Sequence, residues 1–251
     1  MREAVIVSTA RTALTKAARG AFNNTHGIKL AAHSIEHAIA RAGIDPAEVD
    51  DVILGNAAQS GTTGFNIARN AALAAGCPVT TSGTSVNRFC SSGLQTLAMG
   101  AGRIIAEGVD VMVTGGVESI SLPGTSDVKE SVEPELYGKY PGLWYPMIKT
   151  ADIVADRYSI SREAQDEYSL ISQQRTAAGQ ETGAFDDEIV PMNTIMKVKN
   201  KETGEITEHA AVADNCTLYT TNPAYHTIWL DPVIAPPTNK PPHLTTYATA
   251  V

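Results

Sequence analysis

The stretch VNRFCSSGLQ, residues 86–95, sets Cys90 between a short β-branched run and Ser91, Ser92 and Gly93, which open a helix-like segment. A thiol at a helix start lies beside N–H groups that lack intrahelical acceptors and at the positive end of the dipole. Both favour thiolate over thiol. The same N–H groups suit the oxyanion formed when a thiolate attacks a carbonyl. The small residues after the cysteine leave room for a substrate. A lone cysteine is most often a small apolar core residue. On local pattern both readings stand.

Three other constellations carry candidate chemistry. HSIEH (33–37) matches the H-x-x-E-H zinc-peptidase pattern. However, Ile28, Ala32, Ile35, Ile39 and Ala42 form the apolar stripe of that helix, so His33, Glu36 and His37 fall on its polar side. A solvated face is expected there, and no metal. GNAAQSGTTG (55–64) has neither the P-loop Lys-Ser/Thr nor the G-x-G-x-x-G spacing, and reads as a glycine-rich connection. Glu118 follows TGGV at the end of a strand, where α/β sheets place ligands. It reads either as a ligand-facing group or as a loop carboxylate.

The elements that must position these residues alternate in type. Residues 4–7 form a short apolar run and 28–42 a helix. Residues 50–57 read as a buried strand ended by Gly55, and 66–75 as a second helix closed by Gly76 and Pro78. A strand up to Phe89, a helix from Cys90 to about Glu107, and a strand over 109–116 complete the series. Such alternation predicts a mainly parallel sheet covered by helices. From Glu118 to Pro146 turn formers and aromatics dominate without a sustained period. Helix is expected again at about 150–158 and after Ser161, a suitable N-cap with Glu163 in the first turn. AFDDEIVPM then reads as the approach to another strand. Residues 217–251 hold six of the 13 prolines, which forbid a long helix or central strand, so a poorly folded tail is expected.

Bulk properties bound the function. The 251 residues are 43% apolar and 18% charged, as in a globular protein with a substantial core. A net charge of −8 argues against a general nucleic-acid binder, which needs clustered Lys and Arg. The three cysteines, Cys77, Cys90 and Cys216, have no spacing suited to a disulfide framework or a four-ligand zinc site. Reduced thiols in a cytoplasmic compartment, with no signal segment and no membrane span, are the expectation.

Residues 85–121, SVNRFCSSGLQTLAMGAGRIIAEGVDVMVTGGVESIS, resemble the nucleophile segment of the thiolase family, particularly the degradative 3-ketoacyl-CoA thiolases. VIVSTARTA (5–13), RGAFNN (19–24), residues 42–73 and residues 160–192 extend the resemblance colinearly to about residue 216. It implies an α/β fold: a layered sheet with helices on both faces, one core half and an inserted loop domain. The implied divisions are a core domain over 1–118, a CoA-covering loop domain over 119–192, the end of recognisable similarity over 193–216, and the atypical tail. The resemblance also implies that Cys90 attacks the 3-keto carbon of a 3-ketoacyl-CoA and carries the acyl group as a thioester. Met147 falls at a substrate-lining position. Coenzyme A is then a substrate, and no cofactor is implied.

The sequence also departs from the family pattern. The resemblance places a G-H-P histidine, an Asn-Glu-Ala segment and a C-x-G cysteine in a C-terminal half, and none of these motifs occurs here. Cys216 is followed by Thr217 and Leu218, and no glycine precedes His209, His226 or His243. Pro146 and Ile148 flank Met147 where the family tends to have His or Gly. These departures imply a truncated thiolase whose second half was replaced, for instance by a frameshift. Its thiolysis would be slight. The alternative is a non-catalytic remnant that binds CoA weakly or pairs with a full-length thiolase subunit. Homo-oligomers or such mixed oligomers are the partners implied, beside acyl-CoA and CoA.

Overall fold

Asp51–Gly55 is apolar on both sides of its pleat and forms β1, a strand buried throughout. A strand of this kind needs cover on two faces. The computed structural model describes residues 3–122 and 132–213, with the backbone of Thr246 and Tyr247. Cys216 and, apart from that pair, the Pro-rich tail lie outside the described residues. The chain divides into two compact units, Met1–Gly124 with Asp186–Val251, and Thr125–Phe185.

In the first unit β1 pairs in parallel with β2 (Ser82–Val86) on one side and β3 (Met112–Gly116) on the other. Val52 stands level with Gly83 and Val113, and Ile53 with Thr84 and Thr114. Alternation then sends these two rows to opposite faces. The first row meets α2 (Ile67–Ala74): a methyl group on Gly83 would lie 2.5 Å from the Arg69 nitrogen. The second row meets α3 (Ser92–Gly102), where Gly100 leaves space for the Thr114 methyl. Ile53, Met112 and Ile104 form the core on that face, with Val86 and Met99 packed against it. α1 (Gly27–Ala42) packs on α2, with His26 and the left-handed Gly43 at its ends. Helices therefore cover both faces of a parallel sheet, as expected.

Three local expectations are corrected. Residues 4–7 do not form a strand: only Ala4 makes a β-bridge, and beside β3 the sheet instead takes the two-residue β6 (Thr246–Tyr247). β2 stops at Val86 rather than Phe89, because the chain turns there. The helix begins at Ser92, not Cys90, and passes at Arg103–Glu107 into one π-turn ended by left-handed Gly108.

The first unit also holds an antiparallel hairpin, β4 (Met192–Lys199) and β5 (Ile206–Ala213). Just before it, Arg11 exchanges backbone hydrogen bonds with Glu188 and Val190, and its guanidinium pairs with the Glu188 carboxylate.

The second unit contains α4 (Pro134–Lys139), α5 (Met147–Arg157) and α6 (Arg162–Glu181). Ser161 caps α6 by accepting the Ala164 N–H at 3.2 Å, as its sequence position suggested. None of the three helices buries a residue. Among the described residues no helix is long and apolar enough to cross a membrane.

Candidate active site

Cys90 lies in the connection from β2 to α3, at the carboxyl end of the parallel strands. That is where α/β sheets assemble their ligand sites. The connection is short and held by its own polar groups. The Asn87 Oδ1 accepts the Phe89 N–H at 2.8 Å, an Asx-type turn that ends the strand. The Arg88 carbonyl accepts the Ser91 N–H, and the Phe89 carbonyl accepts the Ser92 N–H at 3.0 Å. Ser92 is buried. Its hydroxyl donates to the Phe89 carbonyl at 2.6 Å and accepts the Arg88 N–H at 2.8 Å.

These bonds hold Phe89 at φ +49°, in the left-handed region, while its ring is 75% exposed. The conformation costs a bulky L-residue roughly 1–2 kcal/mol. The exposed ring offers little packing to offset it, so the surrounding hydrogen bonds hold the turn. The strained residue immediately precedes the cysteine.

Cys90 is exposed and makes no disulfide. Ser91 occupies the N-cap of α3, yet its hydroxyl donates backward to the Arg88 carbonyl at 2.9 Å and caps no helix N–H. The helix start therefore has no side-chain oxygen competing for its positive end. Beside it, a methyl group on Gly93 would meet open space, which leaves access for a ligand. Cys77 provides the contrast. It is buried, and desolvation pushes its thiol pKa up while the charge of Arg69 acts in the opposite direction.

The ends of the other two strands approach closely. A methyl group on Gly55, the last residue of β1, would collide with the Ser92 backbone. A methyl group on Gly116, the last of β3, would lie 3.0 Å from the Gly55 carbonyl. The Thr96 hydroxyl ties α3 to β3 by donating to the Gly115 carbonyl at 2.9 Å. Glu118 is half-buried, and its carboxylate accepts the Ala57 N–H at 2.7 Å and the Ala58 N–H at 3.4 Å. Of its two sequence readings the loop carboxylate is the one this geometry describes.

Met147, the other expected site residue, is the first residue of α5, 75% exposed, on the second unit. HSIEH proves different from a solvated face. His33 and His37 are both half-buried, with their rings 4.6 Å apart in a T-shaped contact, and the His33 Nε2 lies 3.4 Å from the Val190 carbonyl. The segment after Glu188 covers this side of α1, a contact that helix periodicity does not reveal. Among the described residues no cluster of three or more His, Cys, Asp or Glu side chains is arranged to hold a metal. Sequence reasoning passed over Asn87. Its signal was an Asx-turn former at the end of a strand, three residues before a cysteine.

Residues 4–227 match the family model described as thiolase, N-terminal domain. The 3-ketoacyl-CoA thiolase of Bacillus subtilis is 38% identical over 192 residues, which are 76% of this chain and 49% of that protein. The acetyl-CoA acetyltransferase of Escherichia coli is 41% identical over 216 residues, 79% of this chain and 53% of that protein. Among solved structures, the Bacillus anthracis acetyl-CoA acetyltransferase superposes with a TM-score of 0.66 at 32% identity, over 84% of this chain and 54% of its own. The chain spans about half the length of the curated relatives it matches.

Proposed function

The chain belongs to the thiolase family, and on that footing we propose that it carries the acyl-accepting half of a 3-ketoacyl-CoA thiolase, with Cys90 as nucleophile. One observation carries the reading: an exposed, unpaired cysteine in a strained turn at the uncapped start of α3, at the carboxyl end of a parallel sheet. In the proposed step the Cys90 thiolate forms a bond to the 3-keto carbon. The C2–C3 bond then breaks, and its electron pair leaves with the acetyl-CoA fragment, which takes up a proton. The acyl group remains as a thioester on Cys90 until the thiol of a second CoA displaces it. Covalent catalysis of this kind replaces one difficult cleavage with two acyl transfers.

The base that deprotonates the nucleophile and the acid that protonates the leaving enolate correspond, by resemblance, to motifs this sequence lacks. Groups that act as a unit are strongly non-additive, so full thiolysis by these 251 residues is expected to be slight while acyl loading survives. Met147 is proposed to line the acyl path. The chain is proposed to act in the cytoplasm with acyl-CoA and CoA as its small-molecule partners.

The deciding experiment is intact-mass and peptide-mapping spectrometry after incubation with acetyl-CoA or acetoacetyl-CoA. A hydroxylamine-labile acyl group on Cys90, absent from Cys90→Ser, is expected. A wild-type chain that takes up no acyl group overturns the reading, and rapid thiolysis of acetoacetyl-CoA overturns the expectation of a half-reaction.

A second reading has its own observation. α4, α5 and α6 bury no residue, and α5 and α6 leave Met147, Ile148, Tyr168 and Leu170 exposed, a surface suited to association with a thiolase subunit. Co-purification with a full-length subunit, without acylation of Cys90, is the outcome that favours it.

A further inference from the structure

We propose that Asn87 and Glu118 are positioning residues for Cys90, linked through the backbone of Ala57. This role presupposes Cys90 as the acyl acceptor, and it falls to two side chains that bond only to backbone around the cysteine.

The linkage runs across the ends of all three main strands. After β3, the Glu118 carboxylate turns toward peptide N–H groups and accepts those of Ala57 at 2.7 Å and Ala58 at 3.4 Å. After β1, Ala57, held through the N–H of each of its two peptides, presents its carbonyl to the Asn87 Nδ2 at 3.1 Å. That bond fixes which way the Asn87 amide faces, because a flip would place oxygen against oxygen. After β2, the Asn87 Oδ1 is thereby aimed at the Phe89 N–H, which it accepts at 2.8 Å.

Phe89 is the residue at φ +49°. Its carbonyl is already held from the helix side by the Ser92 hydroxyl at 2.6 Å and the Ser92 N–H at 3.0 Å. Asn87 supplies the hold on its N–H side. Both ends of the strained residue are thus tied down, one to the first turn of α3 and the other to Ala57 and Glu118. Releasing the Asn87 side frees φ of Phe89 to relax to negative values and swings Cys90 away from the helix start.

The linkage also explains two features that otherwise stand apart. Glu118 sits where a ligand group would be expected, yet its oxygens are turned to backbone. Asn87 is exposed, yet its amide has both a donor and an acceptor partner. Neither side chain is needed to bury the core, so their bonds serve the turn.

The test measures the rate at which iodoacetamide alkylates Cys90, located by peptide mapping, in the full 251-residue chain at pH 7. Asn87→Ala is expected to slow alkylation about tenfold without moving the thermal midpoint by more than a few degrees. Asn87→Asp keeps an oxygen for the Phe89 N–H but sets its other oxygen against the Ala57 carbonyl, and is expected to recover only part of the rate. Glu118→Ala is expected to slow it several-fold, through Ala57. Wild-type rates in all three variants overturn the proposal, as does a wild-type Cys90 that resists the reagent. A loss in Asn87→Asp as large as in Asn87→Ala also overturns it. Acyl loading from acetyl-CoA is read in the same samples. Slowed alkylation in a chain whose wild type never loads acyl groups upholds the positioning role and refutes the acyl-accepting function instead.

Discussion

The side-chain amide of Asn23 completes both backbone hydrogen bonds of Lys197: its Nδ2 donates to the Lys197 carbonyl at 2.6 Å and its Oδ1 accepts the Lys197 N–H at 2.9 Å. A single side chain thus stands in for a strand neighbour along β4. The hydroxyls of Thr25 and Thr194, also in contact, fix the same hairpin two residues further along the loop. Asn23→Ala removes a donor and an acceptor at once and is expected to cost about 1–2 kcal/mol. Hydrogen exchange checks it, because the Lys197 amide should exchange faster while the β1 amides keep their protection.

Iodoacetamide should distinguish the two described cysteines. Cys90 is exposed, whereas Cys77 is buried with its pKa raised by desolvation. Time-resolved peptide mapping should show Cys90 modified at least about thirtyfold faster in the native state, and the difference should vanish in denaturant. Equal native rates would mean that Cys77 is not buried.

His33 should make stability depend on pH. Burial first, and repulsion from His37 second, lower its pKa below the ordinary 6.5, against the raising effects of the Val190 and Pro191 backbone and of Glu36. The unfolded chain therefore takes up the proton first as pH falls. Stability from this group is complete above about pH 6.5 and declines below it, down through the folded-state pKa. Urea midpoints compared at pH 7.5 and pH 5.5 should fall more for wild type than for His33→Gln. Identical declines would remove His33 as the cause.

Asp51 is buried at the start of β1, with one oxygen paired to the Arg103 guanidinium in the π-turn. Arg103→Ala leaves that carboxylate without its cation and is expected to destabilise by about 3 kcal/mol. Arg103→Ala combined with Asp51→Asn should cost less than Arg103→Ala alone, a coupling that a double-mutant cycle in urea measures.

Ile53 is fully buried between Ile104 and Met112. Ile53→Ala should cost about 3–4 kcal/mol, through lost transfer energy and the cavity left behind. Thermal unfolding followed by circular dichroism checks it.

Where one physical signal dominated, the sequence was readable. The apolar residues within 50–57 read as a buried strand, and Ser161 with Glu163 reads as a helix start. The placement of Cys90 beside a helix start was legible from its small neighbours. Its exact offset was not, because the turn at Asn87 ends β2 at Val86, three residues short of Phe89, and pushes the helix start on to Ser92. The run at 4–7 has strand composition, but a strand also needs a free neighbour. The sheet position beyond β3 is taken by Thr246–Tyr247. The burial of His33 depends on Val190, 157 residues away, and no local period carries that distance. Glu118 was singled out for its place at a strand end. Its partners, Ala57 and Ala58, lie on another strand's loop, so its task emerges only once the two strands are side by side.

The bare α-carbon of Gly55 has a consequence for how this site can vary. With the Ser92 backbone closer than a methyl group allows, the end of β1 acts as a stop against which the first turn of α3 rests. The height of the cysteine above the sheet is set by an atom that is missing. Any side chain at position 55 would lift the helix and carry Cys90 with it, so the reach of the nucleophile is written into a residue that has no chemistry of its own.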